Sequence, residues 1–400
     1  MWNKPFGYSE YIAIDAGLVI TGLLLQITVG PIDWSLIAFP ANIILLACFL
    51  AALATMFVLR RKFYFFRCLF NGKNAVVVLS FVAALTLVMG LIKQDGISLP
   101  LGFSKMLGAW WLVLPYVWLT VILGMTALTR TVPFHLRNIP FLLNHWGLFI
   151  ALTGATLGNA DVKELTMQTF PGKPEWRAVT NEGEVTELPL AIELKKFSIE
   201  EYPAKLMIID NNTGNALPGK KPQFVSIDEK QGSIADWNIR VIQYLDYAAP
   251  MGLEGSVKFI GWGSDGATEA ALVSTFNRKT GEHHKGWISC GSYLFPFQVL
   301  KLNKKLSLVM AEREPKKYSS AVKVYTKDMK IYEDTIQVNK PFAVKGWKIY
   351  QLDYDREKGR WSEMSTFKLV SDPWIPSVYA GIFMMLAGAI FLFVRKGPQT

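Results

Sequence analysis

The sequence predicts a polytopic α-helical membrane protein of about six transmembrane helices, with a large β-rich extracytoplasmic domain inserted before the last one. Three observations carry that prediction. Of the 400 residues, 51% are hydrophobic, and most are gathered into uncharged runs long enough to cross hydrocarbon, which takes about 20 helical residues. Across residues 160–373 these runs give way to short stretches rich in β-branched and aromatic residues, separated by turn-forming ones. A final apolar run, 374–394, closes on Arg395 and Lys396.

Taken in order, residues 1–59 hold two spans, 11–30 and 36–59. Asp15 falls near the start of the first and is expected at interfacial depth. No small-residue cleavage site follows that run, so it reads as a retained signal anchor. Residues 60–74 form the most basic short loop, with Arg60, Arg61, Lys62, Arg67 and Lys73. Residues 75–159 hold three more spans, 75–92, 107–128 and 141–158. The connector 93–105 contains Lys93, Asp95 and Lys105. Pro115 is expected to kink the middle span, and Pro140 to interrupt the helix before the third. Basic loops mark the cytoplasmic side of a membrane. The runs at 60–73, at 130–137 and at 395–396 therefore predict that both termini are cytoplasmic and that residues 160–373 lie outside.

The segment 141–158, FLLNHWGLFIALTGATLG, organises the chain. It carries His145, and it leads into the large polar region. An ionisable side chain at membrane depth is costly, so it is a functional candidate by default. At helical spacing Gly147, Ala151, Gly154 and Gly158 share one side, a small-residue stripe that allows close helix packing. His145, Phe149 and Leu152 share the other. His145 is thus either an imidazole offered to a ligand or one that bonds a neighbouring helix or water near the headgroups.

The polar region reads as strands, among them 188–202, 205–210, 238–247, 270–276, 321–327, 347–354 and 365–371. WNIRVIQYLDY at 237–247 and WKIYQLDY at 347–354 echo one another. Two strands of similar exposure explain that echo better than a duplicated unit.

Several classes are excluded. The net charge of +10 is spread beside the membrane runs, so there is no case for nucleic acid binding. The cysteines, Cys48, Cys68 and Cys290, form no C-x-x-C, so the chain is neither a thioredoxin-like oxidoreductase nor a thiolate zinc protein. Only Cys290 lies in the polar region, and it reads as a buried or free thiol. No P-loop, dinucleotide fingerprint or nucleophile triad is present. Glu282, His283 and His284 sit in TGEHHKG, expected to be a solvated turn, because adjacent strand histidines would face opposite ways.

Four stretches together resemble the ResB (CcsB) family of system II cytochrome c biogenesis proteins. They are the His145 helix, then ELPLAIELKKFSIEEYP, then IQVNKPFAVKGWKIYQLDYD, and finally SDPWIPSVYAGIFMMLAGAIF, where Asp-Pro precedes the last helix. They cover about residues 75–394, and the first two helices are extra to the family's four-helix plan. The resemblance implies that the chain lies in the bacterial inner membrane, holds haem b there, and assists its export and attachment to apocytochrome c. It implies that His145 is one axial ligand. A CcsA-type, tryptophan-rich membrane partner would supply the opposing ligand, and a thioredoxin-like reductant would keep the apocytochrome thiols reduced.

The other candidates follow from that reading. Trp110, Trp111 and Trp118, with Tyr116, would line a haem pocket, or form the aromatic belt of a membrane interface. Arg130 and Arg137 would meet haem propionates, or simply set topology. His135 lies on the loop before Pro140. Met89, Met125, Met384 and Met385 read as packing. No metal other than haem iron is expected, and no complete active site belongs to the chain alone. Two other classes stay open: a membrane-anchored extracytoplasmic sensor or binding protein, and a haem-binding subunit of a respiratory complex.

Overall fold

The computed structural model describes residues 6–69, 71–93, 102–103, 106–217, 223–252 and 257–394. Asp95, Lys105, Arg395 and Lys396, used above for topology, lie outside the described residues. The chain forms two compact units, Met1–Lys163 with Ser371–Thr400, and Glu164–Val370.

The first unit is helical. Its helices are α1 (Tyr8–Thr28), α2 (Ala41–Leu59), α3 (Tyr64–Leu69), α4 (Gly72–Leu91), α5 (Trp110–Thr131), α6 (Ile139–Gly158) and α7 (Ile375–Val394). Among the described residues, all but α3 are long and apolar enough to cross a membrane, which makes six.

Three local expectations change. The span expected at 36–59 begins as a 3-10 turn, Trp34–Ile37, with the Asp33 side chain accepting from the Ser35 amide at 3.0 Å. The helix itself starts only after Pro40. The basic loop at 60–74 contains α3, because Tyr64 and Cys68 pack with Phe6, Tyr11 and Val77 into a small core. There the Tyr11 hydroxyl donates to the Cys68 carbonyl at 2.7 Å. Pro115 lies within α5, which continues past it as one element.

Asp15 is fully buried within the bundle. It shares the α1 face of Tyr11, Gly22 and Gln26, the buried side of the helix. That face is fixed by close approach: a Cβ on Gly22 would strike the backbone of Trp110 and Trp111. Gln26 also accepts from the Trp110 amide at 3.2 Å. The two N-terminal helices are therefore part of the bundle: α1 braces α5, and α2 packs Phe49 and Leu53 around Phe149 of α6.

The second unit is all β. Its strands are β1 (Lys163–Thr169), β2 (Glu175–Thr180), β3 (Val185–Glu201), β4 (Lys205–Asp210), β5 (Val225–Ser226), β6 (Gln231–Ile234), β7 (Trp237–Met251), β8 (Lys258–Gly261) and β9 (Thr268–Asn277). They continue as β10 (His283–Ser289), β11 (Leu300–Lys301), β12 (Leu306–Met310), β13 (Pro315–Thr326), β14 (Ile331–Gln337), β15 (Phe342–Val344), β16 (Trp347–Tyr354) and β17 (Ser365–Ser371).

Eight strands form one antiparallel sheet in the order β14-β13-β3-β2-β1-β17-β16-β15. Period-2 burial explains its long strand: Leu188, Leu190, Ile192 and Leu194 of β3 all turn inward. They meet Val324, Ile336, Ile349 and Phe367 in a single core, and the two edge strands, β14 and β15, approach each other. The sheet thus curls around its own interior.

A five-stranded sheet (β10-β9-β7-β6, with β8 on β7) and a four-stranded one (β11-β12-β4-β5) share a second core of Ile208, Trp237, Ile239, Val273 and Leu308. The echoing segments fall in different sheets, β7 in the five-stranded and β16 in the eight-stranded. Their likeness is one of strand burial, not of a repeated unit.

Candidate functional site

Pro140 stands in the first turn of α6, where its missing N–H costs nothing, so the helix starts there and presents His145 about one turn further on. The small-residue stripe packs against α7. A Cβ on Gly147 would lie 2.6 Å from the Gly381 carbonyl, and one on Gly388 would lie 2.9 Å from the Pro140 carbonyl. Met384 and Met385 are on that side, beside Gly147, and so face away from His145. The opposite face turns to α2 and α5, where Phe149 stacks on Phe49 with centroids 6.0 Å apart.

His145 is half-buried. Its ring lies on the Phe141 ring, 3.7 Å between centroids and 20° from parallel. Its Nδ1 is 2.9 Å from the Phe141 carbonyl oxygen. A carbonyl only accepts, so Nδ1 carries the proton and Nε2 of the neutral ring keeps its lone pair. That is the tautomer of a metal-binding imidazole, with its other nitrogen held by the backbone. The Arg130 guanidinium sits over the far part of this stack, 5.3 Å from the Phe141 ring centre.

The remaining candidates separate along α5. Trp146 donates to Thr131 at 3.1 Å, and the Thr156 hydroxyl bonds that of Tyr116 at 3.2 Å, so α5 and α6 run antiparallel. Trp110 and Arg130 are twenty residues apart on α5, about 30 Å at the helical rise. Arg130 is therefore the candidate brought to His145, while Trp110 and Trp111 lie at the other end of the helix. Trp111 is buried against Phe103, and Trp110 donates its indole N–H to the Gly30 carbonyl at 2.9 Å. Trp118 packs at mid-helix against the cluster of Phe149 and Val121. Arg137 and His135 are exposed in and before the 3-10 turn Leu136–Asn138. Met125 is fully buried in the Phe149 cluster. Met89 packs near Trp111, at the Trp110 end of α5.

A second site in the β unit escaped sequence reasoning. Glu269 on β9 is 3% exposed and lies between two guanidiniums. Arg313 reaches it at 3.0 Å, and Arg360 bonds it directly. Arg360 also holds Glu201 at 2.8 Å, Arg313 holds Asp246 at 3.1 Å, and Tyr244 donates to Glu269 at 2.9 Å. These groups join the eight-stranded sheet to the five-stranded one beside a cleft of about 500 Å³ that Cys290, Tyr318 and Tyr354 also line.

Burial pushes the Glu269 carboxyl up, against the downward pull of Arg360 and Arg313. Burial opposes the charge on Arg360, but Glu269, Glu201 and Asp246 outweigh it and raise its value. Burial and the Glu269 charge raise Tyr244, and the same causes raise the Cys290 thiol. Cys290 is thus no activated thiolate. In the joint beside the cleft two arginines face three carboxylates, Glu201, Asp246 and Glu269. Its partners lie 25 to 159 residues apart, so no local motif marks them.

His283 and His284 are not in a turn; they open β10, opposite Phe276 and Thr275 of β9. Cross-strand pairing sets this: the His283 ring lies 4.6 Å from that of Phe276, and His284 lies 5.6 Å from Trp237. Among the described residues no cluster of His, Cys, Asp and Glu could hold a metal ion.

A model of the ResB-like family matches residues 292–362. This stretch of the chain is ResB-like. It runs through strands β11 to β16 and the turn at Gly359–Trp361, and it contributes Arg313, Tyr318, Tyr354 and Arg360 to the cleft; His145 lies outside it. The match is consistent with a ResB/CcsB-like protein and suggests a component of cytochrome c biogenesis. No curated protein matches the chain significantly.

Proposed function

We propose that the chain is the ResB-type component of a system II cytochrome c synthase complex, holding haem b in the membrane through His145. The observation that carries this is the 2.9 Å contact of the His145 Nδ1 with the Phe141 carbonyl oxygen. With Nδ1 donating to the Phe141 carbonyl, Nε2 is the nitrogen left to face iron. Phe141 sets the ring plane, and Arg130 places a cation within reach of a propionate.

Haem here is cargo. Its export and attachment to apocytochrome c belong to the complex, in which each reduced cysteine S–H adds across a haem vinyl group. This chain's part is to ligate and orient. Among the described residues, Met384 and Met385 lie beside Gly147 on the α7 side of α6, and Met125 is buried in the Phe149 cluster. The opposing axial ligand is assigned, as the family resemblance implies, to a CcsA-type, tryptophan-rich partner. A thioredoxin-like reductant serves the apocytochrome thiols. The basic segment at 60–73 sets the orientation, with both termini cytoplasmic and the β unit outside.

The test is the visible spectrum of the protein purified from membranes with and without the coexpressed partner. A low-spin b-type haem spectrum is expected with the partner. It should be lost in His145→Gly and partly restored by added imidazole. Unchanged haem content in a stably inserted His145→Gly protein overturns the assignment.

A further inference from the structure

We propose that the hairpin between β13 and β14 is a membrane-surface anchor: Met329 at its tip enters the phospholipid headgroup layer, and Lys327 and Lys330 meet lipid phosphates. The turn is tight. The Met329 amide donates to the Thr326 carbonyl at 3.0 Å, and the Thr326 amide donates to the Lys330 carbonyl at 3.1 Å. This is a type I turn closed by one residue in the left-handed region, a position that favours glycine. Met329 occupies it, with φ at 59°. At the other end of β14 the same conformation falls to Asn339, with φ at 66°, a residue that tolerates it. Met329 is also 91% exposed, so the fold gains no burial in return for the strain. Ile331, exposed as well, adds apolar surface beside it.

The acid of the turn is drawn back. Asp328 accepts from the Thr326 hydroxyl at 2.6 Å and pairs with Lys345 at 2.9 Å. Lys327 and Lys330 stay exposed on either side of Met329, and Lys330 comes only within 3.9 Å of the same carboxylate.

Strand register says which end of the sheet this tip occupies. Val370 of β17 pairs with Lys348 of β16, and the turn just before β16 carries Lys345, the partner of Asp328. The tip thus stands where β17 runs out of the sheet. β1 enters at that end too: its Leu165 pairs with Thr180, the last residue of β2, whose turn leads to the start of β3. Four residues separate α6 from β1, and three separate β17 from α7, a reach of less than about 20 Å in each case. Both helices are apolar enough to cross a membrane. The chain itself therefore holds this rim near the bilayer.

That placement, with the charge pattern, selects a lipid surface over a protein. One apolar tip between two lysines suits the headgroup layer, where the thioether leaves water and the ammonium groups reach phosphate. A stable protein interface needs a far larger surface. The β2–β3 turn on the same rim carries Glu182 and Glu184, both exposed, so the anchor is one hairpin and not the whole rim. The proposal does not depend on the haem reading.

The test uses the full chain in nanodiscs of phosphatidylcholine and phosphatidylglycerol. A genetically encoded diazirine amino acid replaces Met329, and after irradiation the adducts are mapped by mass spectrometry. Phospholipid adducts at position 329 are expected. The same probe at Asn339, on the opposite rim, should give at least about 10-fold fewer. Lys327→Glu with Lys330→Glu should lower the yield at 329 by about 5-fold or more, since each lysine near a lipid surface contributes about a factor of five. Both changes lie in an exposed turn, and an unchanged β-sheet circular dichroism spectrum checks the fold. Adducts at 329 to protein alone, equal lipid labelling at Asn339, or a yield indifferent to the charge reversal would each overturn the proposal.

Discussion

The His145 imidazole lies flat on the Phe141 ring, one helical turn before it, while its Nδ1 bonds the Phe141 backbone carbonyl at 2.9 Å. One residue thus sets both the plane and the tautomer of the other. The two effects can be separated, because the carbonyl survives any substitution of Phe141. Phe141→Leu should keep Nε2 available but free the ring plane. Haem per protein, measured as pyridine haemochrome with the partner coexpressed, should fall about 3- to 10-fold, at a cost of about 1 kcal/mol for an aromatic pair. That is less than the near-complete loss expected for His145→Gly. Equal losses in both variants would mean that Phe141 acts through folding and not through the ring.

The glycines of the α6–α7 contact give a sharper structural test. A side chain at Gly147 would meet the Gly381 carbonyl at 2.6 Å and the Met385 amide at 2.9 Å, which are backbone atoms that have nowhere to go. Gly147→Leu should therefore force the helices apart and remove most folded protein from a detergent size-exclusion profile. Gly17 on α1 has nothing within 4 Å of its Cβ position. Gly17→Ala should be neutral, or slightly stabilising through helix propensity.

That stripe was legible in the sequence because small residues at helical spacing have one use in a bundle. The long strands were legible for a similar reason: Leu188, Leu190, Ile192 and Leu194 alternate inward along β3. What the sequence hid was pairing at a distance. Strand β10 begins with two histidines that look like a turn until Phe276 and Thr275 are placed opposite them. The Glu269 joint draws on five strands and loops, and each of its residues looks like ordinary surface charge in isolation. The burial of Asp15 was hidden as well, since only the packing of α1 reveals which face it occupies.

Asp161, just past α6, gathers three donors. Its Oδ1 accepts from the Phe39 amide at 2.7 Å, and its Oδ2 accepts from Asn42 and from the Trp374 indole, both at 2.7 Å. The end of α6 is thereby tied to the start of α2 and to the residue before α7. Asp161→Ala should cost about 2 kcal/mol, since it leaves these donors unpaired. Asp161→Asn keeps one good acceptor and should cost less. Thermal melting of the full chain in detergent ranks the two, and equal melting temperatures for parent and Asp161→Ala would refute the clamp.

Acid should weaken the β unit in a defined window. The Thr326 hydroxyl and Lys345 hold the Asp328 carboxyl at about 2, below its ordinary 3.8. Arg177 holds Glu175 at about 2, below its ordinary 4.5. Both folded values are depressed, so the stability they contribute is present above the ordinary values and is lost as pH falls through the folded ones. The melting temperature of the β-sheet circular dichroism signal should drop between about pH 4.5 and 2. Asp328 is exposed, and Glu175 is half-buried beside the exposed Arg177, so each effect is small. Glu175→Gln with Asp328→Asn should flatten the slope, and an unaltered slope would assign the acid response to other groups.

Glu269 should behave quite differently from those surface carboxylates. It is 3% exposed and is the common partner of Arg313, Arg360 and Tyr244. Removing one member of a buried ionic group leaves the others desolvated and under-compensated, which costs about 3–5 kcal/mol. Glu201 and Asp246 remain beside the arginines, so Glu269→Gln should fall at the low end, near 3 kcal/mol. Glu175→Gln, in a partly exposed pair, should cost less than about 1 kcal/mol. Because the joint links the eight-stranded sheet to the five-stranded one, the loss should also change cooperativity. Urea unfolding of the full chain, followed by circular dichroism, should go from one β transition to two. A single transition with unchanged midpoint in Glu269→Gln would show that the two apolar cores hold the sheets together without the charged joint.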